Sequence, residues 1–308
     1  MTIIVPVTQG WQLRPGGADD LPALVELFQA EDLRYRGRSD ISLSQVREQL
    51  AADRSFDQAR DQVVVERDQG LIGAAIINPR AVNLAVHRDH DEPRLRGDLL
   101  AWAETRQAEM GRRTYRVAVP AANTPAVEFL LGAGYGLERF YAQMIRDFAR
   151  TGPPEPAEVA DGYRLRAVDR ARDLAALHAL DDRAFQDRPD YQPEALEAYD
   201  KRHISFSRFE PAWSFLAETR DAEPAGSLIG WRPPDHPHGY VAVLAVDPGH
   251  RRRGLARALL LNAFSQMYGE GLPSAELHVA SDNPRALDLY RGVRMTEAER
   301  FDHYSRAS

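Results

Sequence analysis

Cysteine is absent from the 308 residues. Disulfides, thiolate nucleophiles and Cys-ligated zinc or iron–sulfur centres are thereby excluded. Long apolar runs are missing too. Stretches such as 71–77 and 241–246 are short, whereas a helix across a bilayer needs about 20 residues. Residues 1–6 have no basic segment and lead at once to polar Thr8 and Gln9, so a signal peptide is not expected and a cytoplasmic setting is. Basic charge is in deficit, with 39 Lys+Arg against 46 Asp+Glu and a formal net charge of −7. No global field for nucleic acid exists, so neither nucleic acid nor a membrane is expected as a partner. His236-Pro-His238 has no third ligand spaced nearby, so no metal site is expected. What remains is 44% hydrophobic and 28% charged, ordinary for a globular chain with material for two cores of about 150 residues each.

The two cores are visible as a repeat. Leu84-Ala-Val86 returns as Leu244-Ala-Val246, and Asn123-Thr-Pro-Ala126 as Asn283-Pro-Arg-Ala286, both at an offset of 160 (244 − 84 = 283 − 123). Holding that offset over 84–132 gives 13 identities in 49 positions, where chance supplies roughly three. The segment 151–161 is rich in Pro and charge and reads as a linker. The expected domains are therefore 1–150 and 162–308. The second copy reads βααβββαβαβ: an α/β fold, more narrowly an α+β mixed sheet flanked by helices. Leu255, Leu259, Ala263 and Met267 share one face of a helix from Gly254 to Tyr268. A second helix is expected around 194–201, and Asn283, Pro284 and Gly292 punctuate a short one.

The chemically informative stretch is 246–260. A strand ends, a Pro-Gly turn follows, and a helix opens on small residues within a run of arginines: Arg251, Arg252, Arg253, Gly254, Leu255, Ala256, Arg257. A helix start exposes unpaired N–H groups and partial positive charge, a geometry that takes a phosphate. Gly254 and Ala256 leave room for close approach, and the arginines add charge. The Walker pattern needs Lys-Ser/Thr after its second Gly, and the dinucleotide fingerprint needs G-x-G-x-x-G. Neither is present.

The pattern Arg251-x-x-Gly254-x-Ala256 resembles the acyl-CoA-binding loop of the GNAT N-acetyltransferases, R/Q-x-x-G-x-G/A. The resemblance continues through the preceding strand and the downstream Asn283…Ala286…Tyr290, and covers nearly all of the second copy. It implies two tandem GNAT-like acyl-CoA N-acyltransferase domains with acetyl-CoA as co-substrate. The strand 240–246 is then expected to splay from the strand at 277–279. Main-chain groups of Leu244, Ala245 and Val246 would line the pantetheine, amides from Arg252 to Ala256 would hold the diphosphate, and Asn283 would touch the arm or cap its helix. Tyr290 is the implied acid for the leaving thiolate.

The base is open. Many relatives carry a Glu on the strand written here Tyr240-Val-Ala-Val-Leu-Ala-Val246, which has no acid, leaving Glu218, Glu276, His278 and the loop residues His236 and His238. A further departure is Arg294-Met295, where the family usually has Gly-Phe or Gly-Tyr. In the first copy the offset turns Arg251 into Asp91, Gly254 into Arg94, Ala256 into Arg96 and Tyr290 into Leu130. That copy is expected to be non-catalytic. The implied reaction is direct transfer of an acetyl group to a primary amine of a small molecule such as an amino sugar or polyamine. The alternatives are a peptide or protein amine, or a non-catalytic acyl-CoA-binding regulatory module. An acidic run (Asp181, Asp182, Asp187, Asp190, Glu194, Glu197, Asp200) could attract a cationic acceptor. A monomer or homodimer is expected.

Overall fold

The computed structural model describes residues 10–39, 41–52, 56–68, 70–78, 80–188, 191–205, 207–233 and 236–308. Residues 1–6, Thr8, Gln9 and Asp190, read above from sequence, lie outside them. Among the described residues no helix is long and apolar enough to cross a membrane.

Two compact units are present. Unit 1 comprises Met1–Ala142, Ala280–Asp282 and Glu299–Ser308. Unit 2 comprises Gln143–Val279 and Asn283–Ala298. The units therefore do not follow one cut at 151–161. The strand that ends each sequence copy is divided between them, and 151–161 belongs wholly to unit 2. That stretch is no free tether either, because Glu155 pairs with Arg294 at 2.8 Å.

Unit 1 contains β1 (Gln12–Pro15), α1 (Leu21–Arg36), α2 (Leu43–Ala52), α3 (Gln58–Asp61), β2 (Gln62–Arg67), β3 (Gly70–Ile77), β4 (Val82–Val86), α4 (Pro93–Glu109), β5 (Thr114–Pro120), α5 (Thr124–Gly132) and the start of β6 (Gly136–Asp147). Unit 2 contains the rest of β6, α6 (Phe148–Thr151), β7 (Tyr163–Ala167), α7 (Arg170–Phe185), α8 (Leu196–Tyr199), β8 (Phe215–Thr219), β9 (Pro224–Trp231), β10 (Gly239–Val246), α9 (Leu255–Gly269), β11 (Ser274–Ala280), α10 (Pro284–Gly292) and the start of β12 (Thr296–Ala307). The end of β12 belongs to unit 1, where it pairs antiparallel with β5 from Phe301↔Pro120 to Ala307↔Thr114. Each unit is a mixed α/β sheet. The strand order is β1-β2-β3-β4-β5-β12 in unit 1 and β7-β8-β9-β10-β11-β6 in unit 2.

Burial on both faces explains the unbroken apolar strands. In β2, Val63 and Val65 pack with Leu95 and Leu99 of α4, while Val64 faces Leu24 and Leu27 of α1. In unit 2, Leu177 and Leu180 of α7 cover Ile229, Val243 and Ala245. The four residues expected on one face of α9 are all buried. That helix sits close to the sheet: a methyl group on Gly239 would lie 2.4 Å from the Met267 sulfur.

The helix expected over 194–201 is shorter than its sequence suggests. Only Leu196–Tyr199 is α-helical, and Asp200–Ile204 widens into a π turn. Tyr199 and Ile204 are both buried in the α7 core. Five positions apart, they would diverge on an α-helix, and the wider turn brings them to one side.

Candidate active site

The site is built on a fork between β10 and β11. These parallel strands pair at Gly239↔Ala275 and Tyr240↔Glu276, and among the described residues their ladder stops there. The cause lies on the other edge of β10. Its register with β9 shifts between Val241 and Val243, leaving Ala242 as an extra residue. A bulge of this kind sharpens the local twist and turns the rest of β10 away from β11. Beyond the bulge, the Asp247 amide donates to the Ala225 carbonyl at 3.0 Å. Antiparallel ladders alternate by two residues, so Val243 and Ala245 bond to β9. The main-chain groups of Leu244 and the amide of Val246 then face the open fork, while the Val246 carbonyl accepts from Arg251 Nε at 3.3 Å.

At the end of β10 the chain makes a tight loop. Asp247 accepts a hydrogen bond from the Gly249 amide at 2.9 Å and from Arg183 Nε at 2.7 Å. Arg252 has φ +66° and Gly254, the N-cap of α9, has φ +78°. Left-handed residues in such a loop turn consecutive N–H groups toward one concave side. Nothing lies within 4 Å of a methyl group built on Gly254, so the glycine is required by its φ and the space above it is open.

The arginine run divides by role, which corrects the reading of it as a uniform cationic cluster. Arg251 is structural: its guanidinium donates to the Ala184 carbonyl at 2.8 Å, to Val246 at 3.3 Å and to Asp187 at 2.7 Å. Arg257 donates to the Gly292 carbonyl at 2.6 Å and ties the start of α9 to the end of α10. Arg252 and Arg253 are exposed, and no partner is seen for either among the described residues. The charge available to an anion at the loop is theirs. Leu255 is buried and anchors α9, while Ala256 is half-buried.

On α10, Asn283 accepts from the Ala286 amide at 3.1 Å and caps the helix, so the cap role is realised. Tyr290 is 8% exposed. Burial pushes its phenol up to about 12, against a small opposing effect from the Arg188 guanidinium. It therefore stays protonated at neutral pH. The Arg294-Met295 departure is accommodated locally. Arg294 takes φ +61° where the first copy has Gly134 at +82°, and Met295 is buried at 2% as Tyr135 is at 3%.

The base candidates do not converge. Glu218 is on β8, separated from β10 by β9. Burial opposes its ionisation, but hydrogen bonds from Arg166 and Arg164 hold the carboxyl below its usual range. It is an ion-pair residue of the β7–β8 edge rather than part of the fork. Glu276 stands on the last closed rung, 3% exposed. It accepts from Gln143 Nε2 at 2.8 Å and lies 3.5 Å from His238 Nδ1. His278, two residues on, is exposed, and its Nδ1 is 3.0 Å from the Tyr240 hydroxyl. His236 stacks on His238 at 5.5 Å beside a cavity of about 540 Å³ that both help to line. The described acidic-run residues are engaged internally: Asp187 with Arg251, Glu194 with Arg202, Glu197 with Lys201, Asp200 with Ser205, Asp182 with Tyr191, and buried Asp181 with Tyr199. Tyr240 and Gln143 were not singled out by sequence, since one sits in an apolar-looking strand and the other outside the second copy.

Unit 1 has a fork of the same kind, paired among the described residues at Val82↔Val117 and Asn83↔Ala118. Its contents differ. The His87 amide bonds to the Ile72 carbonyl at 2.9 Å, so by the same alternation the Val86 amide faces the opening. Glu31 of α1 takes it, and takes Asn123 Nδ2 at 2.6 Å. Arg96 is 6% exposed and folds onto Asp91 at 2.8 Å. The opening is filled by side chains of the unit itself.

A split pair of parallel strands, with an amide-rich loop leading into the next helix, defines the class. Residues 174–293 match the model of the acetyltransferase (GNAT) family. The chain is 35% identical over 175 residues to the mycothiol acetyltransferase of Thermobispora bispora, covering 54% of this chain and 57% of that protein. It is 30% identical over 224 residues to the mycothiol acetyltransferase of Streptomyces coelicolor, covering 71% and 69%. A GCN5-related N-acetyltransferase from Sphaerobacter thermophilus has the same fold, with a TM-score of 0.79 at 23% identity over 98% of this chain and 97% of that one. The chain belongs to the GNAT family of N-acetyltransferases, in the tandem arrangement of two such folds.

Proposed function

We propose that this protein is an acetyl-CoA-dependent transferase acting on a primary amine of a small molecule, with the chemistry in unit 2. The observation that supports it most is the open fork. Leu244 presents its main-chain groups, and Val246 its amide, for an extended pantetheine to pair with as an added strand does. The loop from Arg252 to Ala256 offers amides, and Arg252 and Arg253 offer charge, to a diphosphate. Acetyl-CoA, as the second substrate, supplies the activated acyl group. Attack is direct, since the chain has no cysteine to form an acyl-enzyme. The unit contributes positioning, an amide toward the developing oxyanion, and a protonated phenol at Tyr290 for the departing sulfur. The mycothiol acetyltransferase relatives favour a small acceptor, with a cysteinyl amino sugar as the first to try. A cytoplasmic setting belongs to the same proposal.

The test is thiol release from acetyl-CoA with a cysteinyl amino sugar, glucosamine, spermidine, amino acids and peptides as amines. Amine-dependent release with a small acceptor is expected. Tight binding of acetyl-CoA with no release over the panel would make the protein a binding module instead.

A further inference from the structure

An amine must lose a proton as it is acylated, and β10 carries no carboxylate to take it. Resting on the transferase reading, we infer that His278, held across the fork by Tyr240, is the general base of the reaction. Three observations carry this. First, position. Glu276 marks the last closed rung, and residues two apart on a strand share a face. His278 is thus the first side chain on that face beyond the closed end. Second, access. His278 is exposed, whereas Glu276 is buried and its carboxylate already serves Gln143 and His238. Third, orientation. The Tyr240 hydroxyl lies 3.0 Å from His278 Nδ1 and tilts against its ring, and Trp231 stacks on Tyr240 at 5.9 Å and fixes it in turn. When Nδ1–H donates to the phenol oxygen, Nε2 carries the lone pair. Among the groups near His278 are Tyr240 from β10 and Glu276 on its own strand, with His238 and Gln143 set against Glu276.

The step balances. The amine nitrogen bonds to the acyl carbon and its N–H becomes acidic as the bond forms. Nε2 takes that proton, the carbon–sulfur bond breaks, and sulfur takes a proton from Tyr290. An imidazole with a reference pKa of about 6.5 is suited to this at neutral pH. Unit 1 has no counterpart, because the repeat offset replaces Tyr240, Glu276 and His278 with Arg80, Arg116 and Ala118.

The experiment follows thiol release from acetyl-CoA against pH, with whichever of the cysteinyl amino sugar, glucosamine and spermidine is fastest, alongside calorimetric binding of acetyl-CoA. His278→Gln should lower kcat/KM about 10²-fold and remove the acidic limb of the profile, with binding unchanged. Tyr240→Phe removes an acceptor that favours the charged ring. It should move the limb to lower pH by roughly half a unit to one unit, a shift that a purely structural role would not give. A wild-type rate and limb in His278→Gln overturns the assignment, as does a limb lost only in Glu276→Gln. Absence of release from the wild-type protein with every amine overturns the transferase reading itself.

Discussion

Two buried side chains make opposite uses of desolvation. Tyr290 is kept neutral by burial, at about 12, and a neutral phenol can still give a proton to sulfur. Tyr290→Phe keeps the packing and loses only that proton. It should slow turnover about 10²-fold without weakening acetyl-CoA binding, because a thiolate leaves tolerably without help. Rate measured beside calorimetric affinity checks this, and full activity would remove Tyr290 from the mechanism. Asp181 gains nothing from its burial. Desolvation raises it from 3.8 to about 7, although Tyr199 and Ser227 donate to it. Its folded pKa lies above the unfolded one, so the folded state binds the extra proton. Stability is full below about pH 4 and declines as pH rises through about 7. Asp181→Asn keeps an acceptor for Tyr199 and removes the charge. It should add roughly 1–3 kcal/mol at pH 8 and almost nothing at pH 4, as urea melts at the two pH values would record.

At the level of elements, the fork and the loop are separate devices joined by Arg251. A bulge opens the strands, and left-handed residues aim the amides. Two hydrogen bonds from Arg251, to the Ala184 carbonyl and Asp187, fasten the loop to the end of α7, and a third holds the Val246 carbonyl at the end of β10. Gly254→Ala should therefore harm the loop through its φ of +78° rather than through crowding. A cost of about 1–2 kcal/mol in stability is expected, with weaker acetyl-CoA binding, measured by melting and calorimetry. Unchanged affinity would show that the diphosphate does not use this turn. Much of this was legible in the sequence. The Asn-Pro…Gly punctuation of α10, the 3.6-residue face of α9 and the small residues after the arginines each follow from local rules. What was not legible depends on tertiary partners. Arg251 and Arg252 look alike in sequence, yet one is consumed by carbonyls and the other is exposed. Glu218 looks like a free acid until two arginines from β7 meet it. The π turn at 200–204 arises from the needs of Tyr199 and Ile204 in the core, which no local propensity encodes.

For the whole molecule, a repeat of one fold raises the question of how many acyl-CoA sites the chain offers. Among the described residues both units open a fork after two paired rungs, so backbone topology alone predicts two sites. Side chains decide otherwise. In unit 1 the outward Val86 amide is taken by the Glu31 carboxyl, and Asn123 donates to the same group. Pro93 stands at the start of α4, where an N–H would be needed. Asp91 and Glu92 would repel a diphosphate, and Arg96 is folded onto Asp91 rather than presented. Acetyl-CoA should therefore bind at a stoichiometry near one per chain. Gly254→Ala together with Arg252→Ala and Arg253→Ala should abolish most of that heat, whereas Arg94→Ala in unit 1 should leave it alone. Two sites of similar affinity, or binding that survives the triple change and fails with Arg94→Ala, would mean that the filled fork opens and that chemistry has been placed in the wrong copy.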